Sequence, residues 1–291
     1  MTAMTLPEFE FRSPETLEEA LKMLWEKKEE SAVLAGGTDL LVDMRSRIKR
    51  PKLLVDIKRI PELREISYNP ETGLVIGAAI TLNEILKDDT VRERYSLLQK
   101  AVSLMCDSIL RNRATLVGNI CNASPAADTA PPLLVLDAKV RIANVKGFRE
   151  VKIEDFFKDV KRSCLEPWEM VTHVIVPDPP KESKGTYLKA GRTKEDLAIV
   201  GVAALACKDD GKRVRIAYAS VAPTPIRVRE VEEMFAKEKP LPDLIEDVIS
   251  VVKSRISPIS DVRASAEYRL HLVEVLTRMA LFEVLGGVQD G

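Results

Sequence analysis

The stretch ATLVGNICNASPAAD, residues 114–128, is the most informative part of this sequence. It lies between two apolar segments, does not alternate as a strand would, and consists of small and polar residues. Gly118 and Asn119 allow unusual backbone angles and close contact with a bound molecule. The segment also supplies neutral hydrogen-bonding groups and one carboxylate: Thr115, Asn119, Asn122, Ser124 and Asp128.

A second glycine-containing segment, AGGTD at residues 35–39, follows a short apolar run. Its two glycines and Thr38 leave several backbone N–H groups open to a phosphate. The spacing matches neither GxGxxG nor GxxxxGK[ST], which argues against a Rossmann or P-loop site. In the alternative interpretation, Thr38 or Asp39 is a helix N-cap, and so is Asp128 before the prolines of DTAPP. Two such segments in one chain fit a dinucleotide better than two unrelated turns.

The composition fits a protein that buries a large core. The chain has 291 residues, of which 45% are apolar and 31% are charged, and this length suits two domains or one large one. The formal net charge is −1. No overall basic field would therefore attract nucleic acid.

The sequence indicates neither export nor a metal site. The start MTAMTLPEFEF lacks the basic and apolar regions of a secretory signal. The longest apolar run, at 199–207, is far shorter than the ~20 residues of a membrane helix, so we expect a cytoplasmic location. We expect no metal, because metal ligands cluster and the candidates here are scattered along the chain: Cys106, Cys121, Cys164, Cys207, His173 and His271.

Hydrophobic periodicity predicts an α+β protein in two parts. Helices are predicted over 15–29, around 97–109, and in two long C-terminal segments, 243–256 and 264–285. The apolar runs that predict strands lie within 52–60, 73–81, 139–145, 169–177, 186–190, 197–208 and 214–221. The charged, proline-rich segment 177–185 predicts a linker between the two parts.

Several pieces in order along nearly the whole chain carry a family resemblance. They include FEFRSPETLEEAL, AGGTDLL, RNRATLVGNICNASPAADTAPPLLVLDA, YLKAGRTKEDLAIV, SVAPTPIR and DVRASAEYRLHLVEVL. Each piece is weakly specific, whereas the ordered series is highly specific. The sequence resembles the FAD-binding, or medium, subunit of the molybdenum hydroxylases, the family of xanthine dehydrogenase and carbon monoxide dehydrogenase.

The resemblance implies the fold and the domain boundaries. An FAD-binding domain of the vanillyl-alcohol-oxidase (PCMH) type is expected over residues 1–177, in two subdomains that divide near 55–60. A small α+β domain of the CO dehydrogenase flavoprotein type, with a short antiparallel sheet followed by helices, is expected over 185–291.

The resemblance also implies the cofactor-binding residues. Two segments would hold the FAD pyrophosphate: Val33, Leu34, Ala35, Gly36, Gly37, Thr38, Asp39 and Leu40, and Ala114, Thr115, Leu116, Val117, Gly118 and Asn119, with Ser124 and Asp128 behind them. Met170 or Val171 would lie against the isoalloxazine ring. Lys189 falls where the family has a lysine near the flavin.

Two of these positions need comment. Val117 stands where the family often has a glycine, and a β-branched residue resists positive backbone angles and close approach. Lys189 lies in a strand-like run of small and apolar residues, where a cation near the flavin would stabilise its anionic reduced form. An exposed strand lysine is the alternative interpretation, and the segment RTKED at 192–196 is most simply a solvated turn.

The family comparison implies a division of labour among subunits. A small subunit with two [2Fe–2S] clusters and a large molybdopterin subunit would be the partners, and electrons would leave FAD for NAD⁺ or another acceptor. No side chain of this chain is expected to be catalytic, because the flavin performs the redox chemistry. A free-standing FAD oxidoreductase, with Lys189 and Asp128 as its acid–base candidates, is one alternative. A scaffold that has lost the cofactor is another.

Overall fold

The computed structural model describes residues 5–207, 213–236 and 239–286. The β-strands are β1 (Glu10–Arg12), β2 (Ser31–Leu34), β3 (Leu53–Asp56), β4 (Ile66–Asn69), β5 (Gly73–Gly77), β6 (Lys139–Asn144), β7 (Gly147–Lys152), β8 (Phe157–Asp159), β9 (Arg162–Ser163), β10 (Met170–Val176), β11 (Lys184–Ala190), β12 (Val200–Cys207), β13 (Arg213–Ala219) and β14 (Ile226–Arg227). The α-helices are α1 (Leu17–Lys27), α2 (Leu40–Arg45), α3 (Leu82–Lys87), α4 (Asp89–Arg94), α5 (Ser96–Ser103), α6 (Ser108–Arg111), α7 (Leu116–Cys121), α8 (Ala130–Val135), α9 (Ile153–Phe156), α10 (Leu241–Arg255) and α11 (Ala266–Leu285).

A small parallel sheet opens the fold, with strand order β1-β3-β2. Its central strand, β3, is buried along its whole length, which is typical of a strand covered on both faces. Helix α1 contacts both β2 and β3 and buries Ala20, Leu21 and Leu24. Strand β2 ends immediately before the AGGTD segment, so this sheet holds the first glycine segment in place.

The second sheet is antiparallel, with strand order β4-β5-β10-β6-β7. The chain between β5 and β6 forms helices α3 to α8. Helix α3 starts with the capping box formed by Thr81 and Glu84. The long central strand β10 pairs with β5 from His173 onward and with β6 from its start, so its first residues, Met170 and Val171, are held by Ala143 and Ile142 of β6.

The helix predicted around residues 97–109 is interrupted. Helix α5 ends at Ser103 and α6 begins at Ser108. Between them, Cys106 has a φ of 34°, a conformation that a right-handed helix excludes. Asp107 then caps α6 by accepting a hydrogen bond from the Leu110 N–H at 2.7 Å. The break produces a short irregular segment whose carbonyl groups accept hydrogen bonds from side chains and not from the backbone of a continuous helix.

The C-terminal part contains a four-stranded antiparallel sheet, β11-β12-β13-β14. Every residue of β12 is buried, because Ala203 and Leu205 pack into the core of the N-terminal part while Val202 and Ala204 pack against the C-terminal helices. Burial on both faces explains the continuous apolar run at 199–207. Within the described residues, no helix has the length and apolarity that crossing a membrane requires.

Candidate cofactor-binding site

A cleft of about 720 Å³ lies where the first parallel sheet, the helical segment and the start of β10 meet. Both glycine segments line it, together with Met170 and Val171 from β10. Residues 165–167 and 195–197 form further parts of its wall. The cleft therefore brings together segments that are separated by more than 150 residues in the sequence.

Gly36 joins the two glycine segments through direct backbone contact. A Cβ atom at Gly36 would lie 2.1 Å from the carbonyl oxygen of Arg113, a distance that no larger residue tolerates without moving the backbone. Gly37 has a φ of 77°, which favours glycine. In the described part of the chain, the N–H groups of Gly36, Gly37 and Thr38 donate no hydrogen bond, so this turn presents open donors.

Part of the second glycine segment forms a short helix, α7, which was not predicted from the sequence. Thr115 is the N-cap of α7, and its hydroxyl accepts a hydrogen bond from the Gly118 N–H at 2.9 Å. Val117 lies inside this helix and is not among the residues with positive φ. The expected conflict between a β-branched side chain and a positive backbone angle therefore does not arise, and Val117 lines the cleft.

Of the two acidic residues interpreted as N-caps, Asp39 occupies such a position and Asp128 does not. Asp39 is the N-cap residue of α2, although its side chain makes no capping hydrogen bond. The N-cap position of α8 is occupied by Thr129, whose hydroxyl donates instead to the side-chain oxygen of Asn119 at 2.6 Å. The carboxylate of Asp128 is consequently available for other partners.

Asp128 is held by two residues of β11. The Tyr187 hydroxyl donates to Asp128 Oδ1 at 2.6 Å, and Lys189 Nζ donates to Asp128 Oδ2 at 3.3 Å. The side chains of Asp128 and Lys189 are only 6% and 5% exposed. Burial raises the pKa of Asp128 above its ordinary value, against the opposing effects of the Lys189 ammonium and the Tyr187 hydroxyl.

Lys189 also fixes the irregular segment that follows α5. Its Nζ donates to the Leu104 carbonyl at 2.9 Å. Arg111 donates to the carbonyls of Met105 and Cys106, each at 2.6 Å. Three successive carbonyl groups are thus bound by cationic side chains, and the resulting wall presents Met105 and Cys106 to the cleft.

A second buried carboxylate, Glu169, lies immediately before β10. Arg149 donates to both of its oxygens, at 2.9 and 2.6 Å. The Asn144 amide and the Glu166 N–H donate to it at 3.3 and 3.1 Å. Although burial raises the pKa of Glu169, these hydrogen bonds outweigh it and lower the pKa. Glu169 thereby fixes the chain that leads into Met170.

Most of the sequence-predicted site residues line this one cleft: Val33, Ala35, Gly36, Gly37, Thr38, Asp39, Leu40, Ala114, Thr115, Val117, Gly118, Asn119, Asp128, Met170 and Val171. Four others lie outside its lining: Leu34, Leu116, Ser124 and Lys189. Leu34 and Leu116 are buried in hydrophobic clusters. The Ser124 hydroxyl accepts a hydrogen bond from the Ala126 N–H, and Lys189 lies behind Asp128.

Sequence reasoning missed several parts of the cleft. Glu195 and Asp196 belong to the segment interpreted as a solvated turn. Glu195 is exposed and Asp196 is partly buried, and both border the cleft. Lys49, Met105 and Cys106 line it without any recognisable local motif.

Comparison with known proteins identifies the family. A family model described as the FAD binding domain in molybdopterin dehydrogenase matches residues 7–179. The chain belongs to this family. A second model, the CO dehydrogenase flavoprotein C-terminal domain, matches residues 185–284. The resemblance seen in the sequence and the FAD cofactor are thereby confirmed, as is the α+β fold of an FAD-binding domain followed by a domain with an antiparallel sheet.

Individual members of the family support the same conclusion. The chain is 36% identical to the glyceraldehyde dehydrogenase medium chain of Sulfolobus acidocaldarius, over 96% of this chain and 99% of that one. It is 34% identical to the xanthine dehydrogenase FAD-binding subunit of Escherichia coli O157:H7, over 93% and 94%. The solved carbon monoxide dehydrogenase of Hydrogenophaga pseudoflava superposes with a TM-score of 0.93 at 29% identity, over 97% of this chain and 99% of the matched chain. The chain is therefore an oxidoreductase subunit of the xanthine and CO dehydrogenase type.

Proposed function

We propose that this chain binds FAD in the cleft and passes electrons within a molybdenum hydroxylase complex. The observation that carries the proposal is the backbone contact of Gly36 with Arg113, which unites two glycine segments as walls of one cleft. The proposed binding residues are those of segments 33–40 and 114–119, with Ser124, Asp128, Met170, Val171 and Lys189.

The chemistry of the cleft fits FAD. Its volume of about 720 Å³ lies within the range of roughly 300–1,000 Å³ that small-molecule sites occupy. The open N–H groups of the Gly36 turn suit a pyrophosphate. The Asn119 amide nitrogen has no partner in the described part of the chain and can donate to the cofactor. Met170 and Val171 offer an apolar surface of the kind that a flavin ring requires.

Each part of the chain has a distinct task in this proposal. Residues 35–39 and 114–119 would hold the pyrophosphate, and the start of β10 would position the ring. Lys189 would place a positive charge close to the site, and Asp128 would present a carboxylate to it. When bound, FAD would supply the one- and two-electron chemistry by which the subunit connects its partners to an acceptor.

The proposed partners follow from the relatives, which are named as medium chains or FAD-binding subunits. A small iron–sulfur subunit would deliver electrons to this chain, and a large molybdopterin subunit would oxidise the substrate. NAD⁺ or another acceptor would receive the electrons, in the cytoplasm. Substrate identity would therefore reside in the large subunit.

A free-standing FAD oxidoreductase would use Asp128 and Lys189 as acid and base. In the structure these two groups bind each other, and Lys189 lies outside the cleft lining, an arrangement that favours a positioning role over an acid–base pair acting on a substrate. Substrate turnover by the isolated chain, without partner subunits, would contradict the proposed role as an electron-transfer subunit.

The substitution Gly36→Ala tests the assignment of the cleft. We expect FAD affinity to fall at least about tenfold, equivalent to ~1.4 kcal/mol, because the added Cβ would separate the two glycine segments. FAD titration followed by fluorescence gives the affinity, and circular dichroism verifies the fold.

Gly73→Ala is the matched control for this experiment. Its Cβ would lie 2.2 Å from the Val176 carbonyl, an equally severe backbone clash, but Gly73 is not part of the cleft. This variant should lose stability and keep FAD affinity. If folded Gly36→Ala binds FAD as tightly as the wild type, the assignment is wrong.

A further inference from the structure

Strand periodicity places two polar side chains of β11 side by side. Tyr187 and Lys189 are two residues apart, so they point to the same face of the sheet. That face packs on the FAD-binding domain, since Tyr187 belongs to the core formed by that domain. Both side chains end at Asp128. The C-terminal sheet thus provides both side-chain partners of a carboxylate in the neighbouring domain.

The position of the Tyr187 hydroxyl is tightly constrained. Tyr187 is fully buried, and its hydroxyl lies 2.6 Å from Asp128 Oδ1. On the adjacent strand, a Cβ at Gly201 would lie 2.6 Å from this hydroxyl, so only glycine leaves room for it. If this position only had to fill the core, a phenylalanine ring would serve, and no space for a hydroxyl beside Gly201 would be needed.

Asp128 depends strongly on these two donors. In the described part of the chain, the Tyr187 hydroxyl and the Lys189 ammonium are the side-chain groups that donate to it. Of these three residues, Asp128 is the one that lines the cleft. A short hydrogen bond to an ionised carboxylate is roughly twice as strong as one between neutral groups. The orientation and the charge of Asp128 are therefore controlled from the C-terminal sheet.

We propose that Tyr187 is a positioning residue of the FAD site. Its hydroxyl fixes the Asp128 carboxylate against the cleft and disperses its negative charge, so that the C-terminal domain sets the affinity and the reduction potential of the bound flavin. The inference rests on the proposed function, because it assumes that FAD occupies this cleft.

The substitution Tyr187→Phe in the full chain tests the proposal, since it removes the hydroxyl and leaves the ring. FAD affinity should fall about tenfold, because Asp128 loses the bond that orients it. Tyr218→Phe is the matched control. Tyr218 is equally buried in the same sheet, and its hydroxyl bonds to Thr277 Oγ1 at 2.7 Å on the opposite face. This control should bind FAD like the wild type.

A double-mutant cycle shows whether Tyr187 acts through Asp128. Adding Tyr187→Phe to Asp128→Asn should not weaken FAD binding further. The flavin potential at pH 8 gives a readout that a packing defect would not reproduce. It should fall in Tyr187→Phe, where the carboxylate charge is less compensated. It should rise in Asp128→Asn, where the charge is absent, and the double variant should match Asp128→Asn.

Several results would overturn the inference. These are an unchanged affinity and potential in Tyr187→Phe, the same loss in Tyr218→Phe, or an undiminished effect of Tyr187→Phe in the Asp128→Asn background.

Gly201→Ala is a second probe, because its added methyl group would displace the Tyr187 hydroxyl without deleting it, and it should also weaken FAD binding. Wild-type affinity, measured first, separates the two levels: absent FAD binding refutes the proposed function, whereas normal wild-type binding with an indifferent Tyr187 refutes this inference alone.

Discussion

Asp128 and Glu169 are both buried carboxylates that line the cleft, but they differ in the number of their hydrogen-bond donors and in the domain that provides them. Among the residues that the structure describes, Glu169 receives four hydrogen bonds, two of them from Arg149 and all from its own domain. Among the same residues, Asp128 receives two from side chains, and both come from the C-terminal sheet. The pKa of Glu169 is lowered by its partners, whereas burial keeps the pKa of Asp128 raised.

The number of hydrogen-bond donors at each carboxylate indicates whether it has a structural role or can still bind a ligand. A carboxylate with four donors has little remaining capacity for a ligand, so Glu169 serves to fix the entry into β10. A carboxylate with fewer donors, at the junction of two domains, retains acceptor capacity toward the cleft. In the proposed FAD site, Asp128 would thus be the acidic group that responds to a bound cofactor, and Lys189 and Tyr187 would be the residues through which the second domain influences it.

The largest effect on stability is expected for Lys189→Met. Removal of the ammonium leaves Asp128 buried without its counter-charge, which typically costs about 3–5 kcal/mol. Urea denaturation of the variant measures the loss. The double variant with Asp128→Asn should recover most of it, because no charge then remains to be compensated. Equal stability of Lys189→Met and wild type would mean that the ion pair contributes nothing.

A smaller effect is expected for Arg149→Met. Hydrogen bonds to charged groups contribute about 1.5–3 kcal/mol, but Glu169 keeps its bonds from Asn144 and from the Glu166 N–H. Arg149 is also partly exposed, so solvent can replace part of its interaction. The same urea experiment compares the two variants, and a loss as large as that of Lys189→Met would remove the contrast between the two carboxylates.

The smallest effect is a change in the acid dependence of stability. Because the folded-state pKa of Glu169 lies below its ordinary value of 4.5, its contribution is present above about that pH. It is lost as the pH falls through the folded-state pKa. Glu169→Gln should therefore weaken the decrease in the free energy of unfolding between pH 5 and 3. Urea denaturation of both proteins across this range gives the free energy of unfolding at each pH. Identical slopes of this free energy against pH would contradict the prediction.

The sequence identified the parts of the site that are local motifs. The segments around Gly36 and Gly118 are recognisable because several consecutive residues carry the pattern. The helix α7 was missed, since Thr115 caps it without the glutamate or glutamine that a capping box would show. The position of Val117 could not be judged correctly without knowing that its backbone is helical.

The long-range partners could not be found in the same way. Tyr187 lies 59 residues from Asp128, and Arg149 lies 20 residues from Glu169. Their contacts depend on the register of β11 and β7 and on how the two domains pack, and neither is encoded in a short pattern. From the sequence alone, Tyr187 cannot be distinguished from an aromatic residue that only fills the core, because the space beside Gly201 that holds its hydroxyl is visible only in the structure.

The most direct test of the account is the absorption spectrum of the purified wild-type chain after addition of FAD and removal of the unbound cofactor. The account predicts retained flavin absorption that approaches one FAD per chain. A chain that is folded by circular dichroism and returns to the spectrum of a colourless protein would contradict the central claim that this cleft is an FAD site.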